Sequence, residues 1–403
     1  MSITLDPSQE AAVDLMLSAP LAIVTGGPGC GKTTTLKAAL DRLDARGDSS
    51  YALASPTGKA SRRMQEATGR DATTLHRLLE YGRRPDGLGM GFLRNEDCPL
   101  EQELIVVDES SMIDVRLGAA LMRAVDPSRT RVVFVGDADQ LPSVGPGRVF
   151  ADLIESGEVP VARLNTLHRA AQDSWVCANA PLVLAGERPD LRAREGFAWV
   201  PATDGATAAR SAVDVIAREL PGRGIEGAQL LVPQKTGVAG VDALNRTLQA
   251  QLNPPRGEKG WKRDDFELRP RDRVIQTRND YELNVMNGEV GEVRRIDGGE
   301  LVVDFEGREV IYNALSAVGL QLAYALTIHK SQGSEWAWVV VLCHSTHSYM
   351  LSRQLLYTAL TRAKKGVVLV GDDKGLDLAL KNIAPTRRNT TLVERLKEGQ
   401  VEA

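Results

Sequence analysis

The chain predicts an α/β fold of doubly wound parallel sheets, divided between two domains. Two observations carry that expectation. Short, wholly apolar runs bounded by Gly, Pro or Asp alternate with amphipathic stretches from residue 21 to about 160, and the alternation resumes after 161. A strand covered by helices on both faces has no polar side to show, so it reads as a continuous apolar run. In addition, a glycine-rich turn at 26–33 joins the first such run to the first amphipathic stretch.

In order, the expected strands are 21–24, 51–54, 104–107 and 131–135, and 115–125 (Val115, Leu117, Leu121, Met122, Val125) is a covering helix. The alternation breaks at 81–103, where Gly82, Gly87, Gly89 and Gly91 interleave with few apolar residues. That composition predicts a hairpin excursion, or else a plain surface loop. After 161, strands are expected at 228–233, 336–343 and 367–371, with helices at about 238–252 and 352–364. Residues 270–316 read as all-β: Leu301, Val303 and Phe305 alternate with Val302 and Asp304, and turns fall at Asn287-Gly288, Asp297-Gly298-Gly299 and Glu306-Gly307. The expected domains are 1–80 with 104–160, the excursion 81–103, 161–269 with 317–403, and a small barrel at 270–316.

Composition narrows the class. The 403 residues, 43% hydrophobic and 25% charged, have room for two or more domains and exclude wholesale disorder. A net charge of −4 means that any nucleic-acid site is a local groove rather than a basic coat. Aromatics at 4% argue against an extended base-stacking platform. No run of about 18 apolar residues predicts a membrane span, and the N-terminus lacks signal-peptide regions. Cys30, Cys98, Cys177 and Cys343 lie far apart, which suggests neither disulfide framework nor zinc site and fits a reducing cytoplasm.

Gly26-Gly27-Pro28-Gly29-Cys30-Gly31-Lys32-Thr33 matches G-x-x-x-x-G-K-[ST] in full. Its backbone amides and the following helix N-terminus suit phosphates. Lys32 would reach the β- and γ-phosphates and Thr33 would hold Mg²⁺, while the Cys30 thiol is a passive loop member. Ile105-Val106-Val107-Asp108-Glu109 ends an apolar run in two carboxylates. Asp108 would bind Mg²⁺ through water, and Glu109 would activate the attacking water.

The order and spacing of several segments then resemble a family. They are Leu5 to Gln9, Gly26 to Thr33, Ala54 to Ala60, Thr74 to Leu79, Val107 to Met112, Val135 to Pro142, Leu322 to Glu335 and Leu356 to Ala363. This series resembles the superfamily 1B DNA helicases of the RecD-like branch, as a stand-alone motor core without the extra N-terminal domain of longer members. The resemblance implies two RecA-like P-loop NTPase domains, with a β-hairpin pin at 81–103 and an SH3-like barrel inserted in the second. It implies ATP and Mg²⁺ as cofactors and 5′-to-3′ movement. Gln9 would read adenine, and Gly27, Pro28, Gly29, Cys30, Gly31, Thr34, Gly333 and Glu335 would complete the nucleotide site. Gln140 would sense the γ-phosphate, and Arg169 and Arg362 would be arginine fingers. Pro56, Thr57, Thr74, His76, Phe92, Thr327 and His329 would lie along single-stranded DNA. Thr57 and Thr74 read equally well as helix caps, and a packed core histidine is the lesser alternative for His76.

The resulting expectation is an ATP-dependent 5′-to-3′ DNA helicase acting in repair, recombination or replication on single strands and their duplex junctions. It would be cytoplasmic, and nucleoid-associated if bacterial. A translocase that strips proteins with little unwinding, and an RNA-directed motor, are the alternatives.

Overall fold

The structure is a computed structural model and describes residues 5–47, 50–83, 87, 89–166, 174–219, 227–263, 265–280, 282–383 and 388–399. The chain forms two compact units, residues 1–172 with 386–403 and residues 173–385.

In the first unit the strands are β1 (Leu21–Thr25), β2 (Tyr51–Ser55), β3 (Ala72–Thr74), β4 (Tyr81–Arg83), β5 (Met90–Phe92), β6 (Leu104–Val107), β7 (Arg131–Gly136) and β8 (Val161–Arg163). Six of them make one parallel sheet in the order β3-β2-β6-β7-β1-β8. The helices are α1 (Pro7–Ser18), α2 (Lys32–Asp44), α3 (Gly58–Thr68), α4 (Leu75–Leu78), α5 (Val115–Arg123) and α6 (Val149–Ser156). Alternate residues of each strand enter different cores. Val24, Val133 and Val135 pack with Met16, Leu36 and Leu40 of α1 and α2. Ile23, Val132 and Phe134 pack with Leu117, Leu121 and Phe150 of α5 and α6. Burial on both faces explains the unbroken apolar runs, and each such side chain contributes about 1.5–3 kcal/mol. β4 and β5 stand apart as an antiparallel pair, with Tyr81 opposite Phe92 and Arg83 opposite Met90.

The second unit contains β9 (Phe197–Pro201), β10 (Ala228–Val232), β11 (Trp261–Lys262), β12 (Glu267–Leu268), β13 (Arg273–Gln276), β14 (Val290–Asp297), β15 (Glu300–Phe305), β16 (Arg308–Tyr312), β17 (Leu320–Leu322), β18 (Ala325–Thr327), β19 (Trp336–Cys343) and β20 (Ala363–Gly371). Its helices are α7 (Trp175–Ala185), α8 (Gly205–Asp214), α9 (Val241–Leu252), α10 (Arg353–Leu360) and α11 (Asp373–Lys381). A parallel sheet runs β18-β10-β19-β20-β9. The inserted antiparallel sheet runs β16-β15-β14-β13-β17. Its anchor is buried Asp272, which accepts hydrogen bonds from Asn253 Nδ2 at 2.8 Å, Arg269 N at 2.7 Å and the Tyr324 hydroxyl at 2.9 Å.

Two boundaries differ from the sequence reading. The all-β region is wider than 270–316, because β17 pairs with β13 after residue 316 and the β11–β12 hairpin precedes it. Residues 386–403 belong to the first unit rather than the second. There α12 (Leu392–Glu398) packs on α6, with Leu392 and Leu396 against the first-unit core. Two apolar side chains one helical turn apart find their partners only through the fold. No helix among the described residues is long and apolar enough to cross a membrane.

Candidate nucleotide site and nucleic-acid contacts

The sheet order places the ends of β6, β7 and β1 side by side, and the polar loops that follow them face one edge. In parallel α/β sheets the carboxyl edge is where ligands bind. After β1, Gly29 (φ 74°) and Gly31 (φ 79°) adopt left-handed conformations that suit glycine. Gly26 approaches Leu164 closely enough that a Cβ would lie 2.6 Å from its carbonyl oxygen. α2 then starts at Lys32 with no side-chain cap, so its first-turn amides and positive dipole end face the loop. Lys32 Nζ donates to Gly26 O at 2.6 Å and Gly27 O at 3.0 Å. Thr33 is exposed on that first turn and Thr34 half-buried. Cys30 is buried within the core, in keeping with a packing role.

At the end of β6, Asp108 Oδ1 accepts from Glu109 N at 2.8 Å. Glu109 itself is left-handed (φ 53°), a strained backbone for a glutamate. Dense surroundings, and next the Glu109 charge, push the Asp108 carboxyl up to about 6, against the pull of that N–H, Lys32 and Arg63. Carboxylates whose charge is left short of compensation suit a cation. Among the described residues no group of three or more His, Cys, Asp or Glu could hold a metal alone. Arg63 of α3 escaped the sequence reading; its only signal was the basic pair Arg62-Arg63.

After β7, Gln140 Nε2 donates to Asp137 Oδ2 at 3.2 Å, and Gln140 Oε1 is buried without a hydrogen-bond partner. Burial, then the Asp137 charge, raises the Asp139 carboxyl. An unsatisfied buried acceptor beside clustered carboxylates marks a place prepared for a ligand. Gln9 has a second job as well. It is 1% exposed, and its Oε1 accepts from Asp6 N at 3.0 Å in a capping box that starts α1.

The strand candidates of the first unit divide. Thr57 caps α3 through Ala60 N at 3.3 Å, and Thr74 caps α4 through Arg77 N at 3.2 Å. Thr74 is only 4% exposed, and its hydroxyl is engaged in that cap. Half-buried Pro56 precedes Thr57. Phe92, expected along the strand, has partners within the fold. Phe92 packs against Tyr81 (5.0 Å between ring centroids) and His76 (5.6 Å), and His76 meets Tyr81 edge-on at 5.6 Å. Phe92 therefore anchors the hairpin to α4, while Tyr81, 42% exposed, and Met90, 56% exposed, face solvent. The trio forms because hairpin pairing sets Phe92 opposite Tyr81. Burial lowers the His76 pKa.

In the second unit, Thr327 accepts from Lys330 N at 3.3 Å, and burial lowers the His329 pKa. Gly333 is left-handed (φ 70°), and Glu335 pairs with Lys364 at 3.8 Å. Arg362 is 2% exposed. Its Nε donates to Thr358 O at 3.1 Å, Nη1 to Ser334 O at 3.3 Å and Nη2 to Thr361 Oγ1 at 3.3 Å, so it braces the 333–335 turn. Arg169 lies outside the described residues.

Comparison with known proteins gives these features a family. Residues 9–146 match the AAA domain family, 244–305 the ATP-dependent RecD-like DNA helicase SH3 domain, and 322–370 the UvrD-like helicase C-terminal domain. The ATP-dependent RecD2 DNA helicase of Deinococcus radiodurans is 39% identical over 98% of this chain, which spans 52% of that relative's length. The RecBCD enzyme subunit RecD of Mycolicibacterium smegmatis is 38% identical over 98% of this chain and 75% of its own. Among solved structures, the Bacteroides Pif1 helicase in complex with ADP-AlF3 and ssDNA superposes with a TM-score of 0.60 at 17% identity, covering 100% of this chain and 98% of that one. The Candida albicans Pif1 helicase gives 0.55 at 20% identity, over 98% and 100%. These likenesses establish two RecA-like α/β domains with an SH3-like insertion in the second. With the identity and coverage of its relatives, the chain belongs to the RecD-like DNA helicase family.

Proposed function

We propose that the chain is an ATP-driven motor that moves 5′ to 3′ on single-stranded DNA and unwinds duplex at strand junctions, in repair, recombination or replication. The observation that carries the reading is the convergence of three loops at one sheet edge: Lys32 after β1, Asp108-Glu109 after β6, and Asp137 to Gln140 after β7. Relatives named as DNA helicases, and a similarly folded helicase in complex with ssDNA, support DNA as the track.

In this mechanism the glycine-rich loop and the α2 N-terminus bind the ATP phosphates, and the Lys32 ammonium leaves its two loop carbonyls to follow the γ-phosphoryl group. A magnesium ion held by Thr33 and Asp108 would neutralise charge on the phosphate oxygens. Glu109 orients the attacking water and takes its proton on the carboxylate. Gln140, with its unsatisfied oxygen, reports the nucleotide state to the rest of the unit. The finger roles of Arg169 and Arg362 belong to the same proposal.

Hydrolysis stimulated by single-stranded DNA, and unwinding of 5′-tailed but not 3′-tailed duplex, would support the reading. Stimulation by RNA alone would favour an RNA-directed motor. Translocation without unwinding would favour the translocase. Replacing 83–100 by a short Gly/Ser linker should spare DNA-stimulated hydrolysis and abolish unwinding; parent-rate unwinding by that variant would remove the hairpin from the mechanism.

A further inference from the structure

The loop leaving Gln140 is gathered by a residue from the far end of the chain. Residues 141–147 connect Gln140 to the start of α6 with no helix or strand of their own. Val144 on that loop is 84% exposed, so apolar burial does not order this part of it. Its carbonyls converge on one guanidinium instead. Arg388 Nη1 donates to Gly145 O and Gly147 O, both at 2.6 Å, and Nη2 donates to Ser143 O at 2.6 Å. Ser143 Oγ donates to the same Gly145 and Gly147 oxygens at 3.1 and 3.2 Å. A planar guanidinium suits this work, since its donors point in fixed directions and lose little freedom on binding. The segment carrying Arg388 is itself docked, through Leu392 and Leu396 of α12 on the first-unit core.

The same loop touches the start of α5. Val115 N donates to Pro146 O at 3.0 Å. Gly145 lies against Asp114 so closely that any Cβ would overlap the carboxylate. Asp114 caps α5 through Leu117 N at 2.8 Å, and its charge reaches the His76 ring. His76 packs on Tyr81 and Phe92. Direct contacts thus join the Gln140 loop to Asp114, and from Asp114 the link to His76 and the hairpin is electrostatic.

We propose that Arg388 is a positioning residue, which holds loop 141–147 in the single arrangement that passes the nucleotide state at Gln140 on to Asp114 and His76. The proposal rests on the motor reading above. A loose loop would absorb the movement of Gln140, whereas a loop pinned at three carbonyls transmits it.

The test uses the full chain and Arg388→Ala. The readout is the ratio of turnover with saturating single-stranded DNA to turnover without it, beside the KM for ATP and the melting temperature. The expected result is a stimulation ratio lower by about tenfold, within the usual range of coupling between two sites, with KM changed less than about twofold. A purely structural role would lower both turnover numbers together and leave the ratio alone. A ratio equal to the parent's, whatever the absolute rates, overturns the proposal. Arg388→Lys, which reaches fewer carbonyls, should give an intermediate ratio; should the alanine variant not fold, a parent-like ratio in the lysine variant is the overturning result. A parent chain that DNA does not stimulate defeats the motor reading, and this proposal with it; a stimulated parent beside an equally stimulated Arg388→Ala defeats this proposal alone.

Discussion

The nucleotide loops of the first unit and the short turn that Arg362 braces in the second treat their polar groups in contrary ways. The first keeps strain and unmet demand: Gly29, Gly31 and Glu109 are left-handed, a Gln140 oxygen is buried without a partner, and Asp108 sits beside a second carboxylate. In the second, Arg362 spends Nε, Nη1 and Nη2 on neighbouring oxygens, and Ser331 Oγ donates to Ile328 O at 2.7 Å. Unsatisfied or strained groups are costly, and they persist where a ligand later satisfies them. Saturated groups act through what they hold. The first region is built to receive, and the second to support.

The sharpest break would come at Lys32. Lys32→Ala should lower hydrolysis by roughly 10²–10³-fold or more, as loss of a preorganised charge contact at a transferring phosphoryl group does. Melting should stay near the parent's, because the side chain is half-buried at the start of α2 and outside the core. A variant retaining more than a tenth of parent turnover would break the first half of the comparison.

Arg362→Ala tests the other half. It removes the donor to Ser334 O, a loss of about 1–3 kcal/mol for a buried acceptor, so melting and turnover should both fall. Turnover lost with melting unchanged would leave Arg362 its finger role alone and break the contrast.

The second unit's packed interior should also register in pH. Burial depresses the His347 pKa to about 4, while its Nε2 lies 3.2 Å from Ala239 O. A histidine whose folded pKa lies below its unfolded value of about 6.5 loses stability as pH falls through that window, here up to roughly 3 kcal/mol. Denaturant midpoints measured between those pH values should fall, and His347→Gln should flatten part of the slope. An identical slope in that variant would count against the assignment.

Phe92→Ala sharpens the comparison within the first unit, where the hairpin is held by aromatic contacts worth about 0.5–1.5 kcal/mol each. Unwinding should drop while DNA-stimulated hydrolysis persists, and Phe92→Tyr should keep both. Parallel loss of both activities would mean that the ring supports the motor and not the hairpin alone. The smallest effect belongs to Thr74→Ala, which should cost about 1 kcal/mol as a lost helix cap. Strand affinity in a titration should hold within about twofold, and a larger loss would restore Thr74 to the strand contacts.

Much of the site was legible because its chemistry is local. A phosphate loop needs glycines, a lysine and a threonine within eight positions, and a buried strand ending in carboxylates needs only six. The strands β1, β2, β6 and β7 announced themselves through unbroken apolar runs, whereas β3 and β8 have three residues each, too few to show a period. Phe92 could be placed on a hairpin but not turned inward, since its direction depends on Tyr81 across the pair and His76 on a different element. The capping roles of Thr57 and Thr74 were one of two open readings until their hydroxyls were seen to accept from Ala60 N and Arg77 N.

The sequence by itself determined the α/β class, the candidate residues for nucleotide binding and the membership that their order implies, because each is written in contiguous stretches whose periodicity or spacing is physical. Only the tertiary structure decided the partners of Arg362, the return of α12 to the first unit and the grip of Arg388 on the Gln140 loop. An arginine can bond any carbonyl within reach, and nothing local in the chain says which one the fold will bring there.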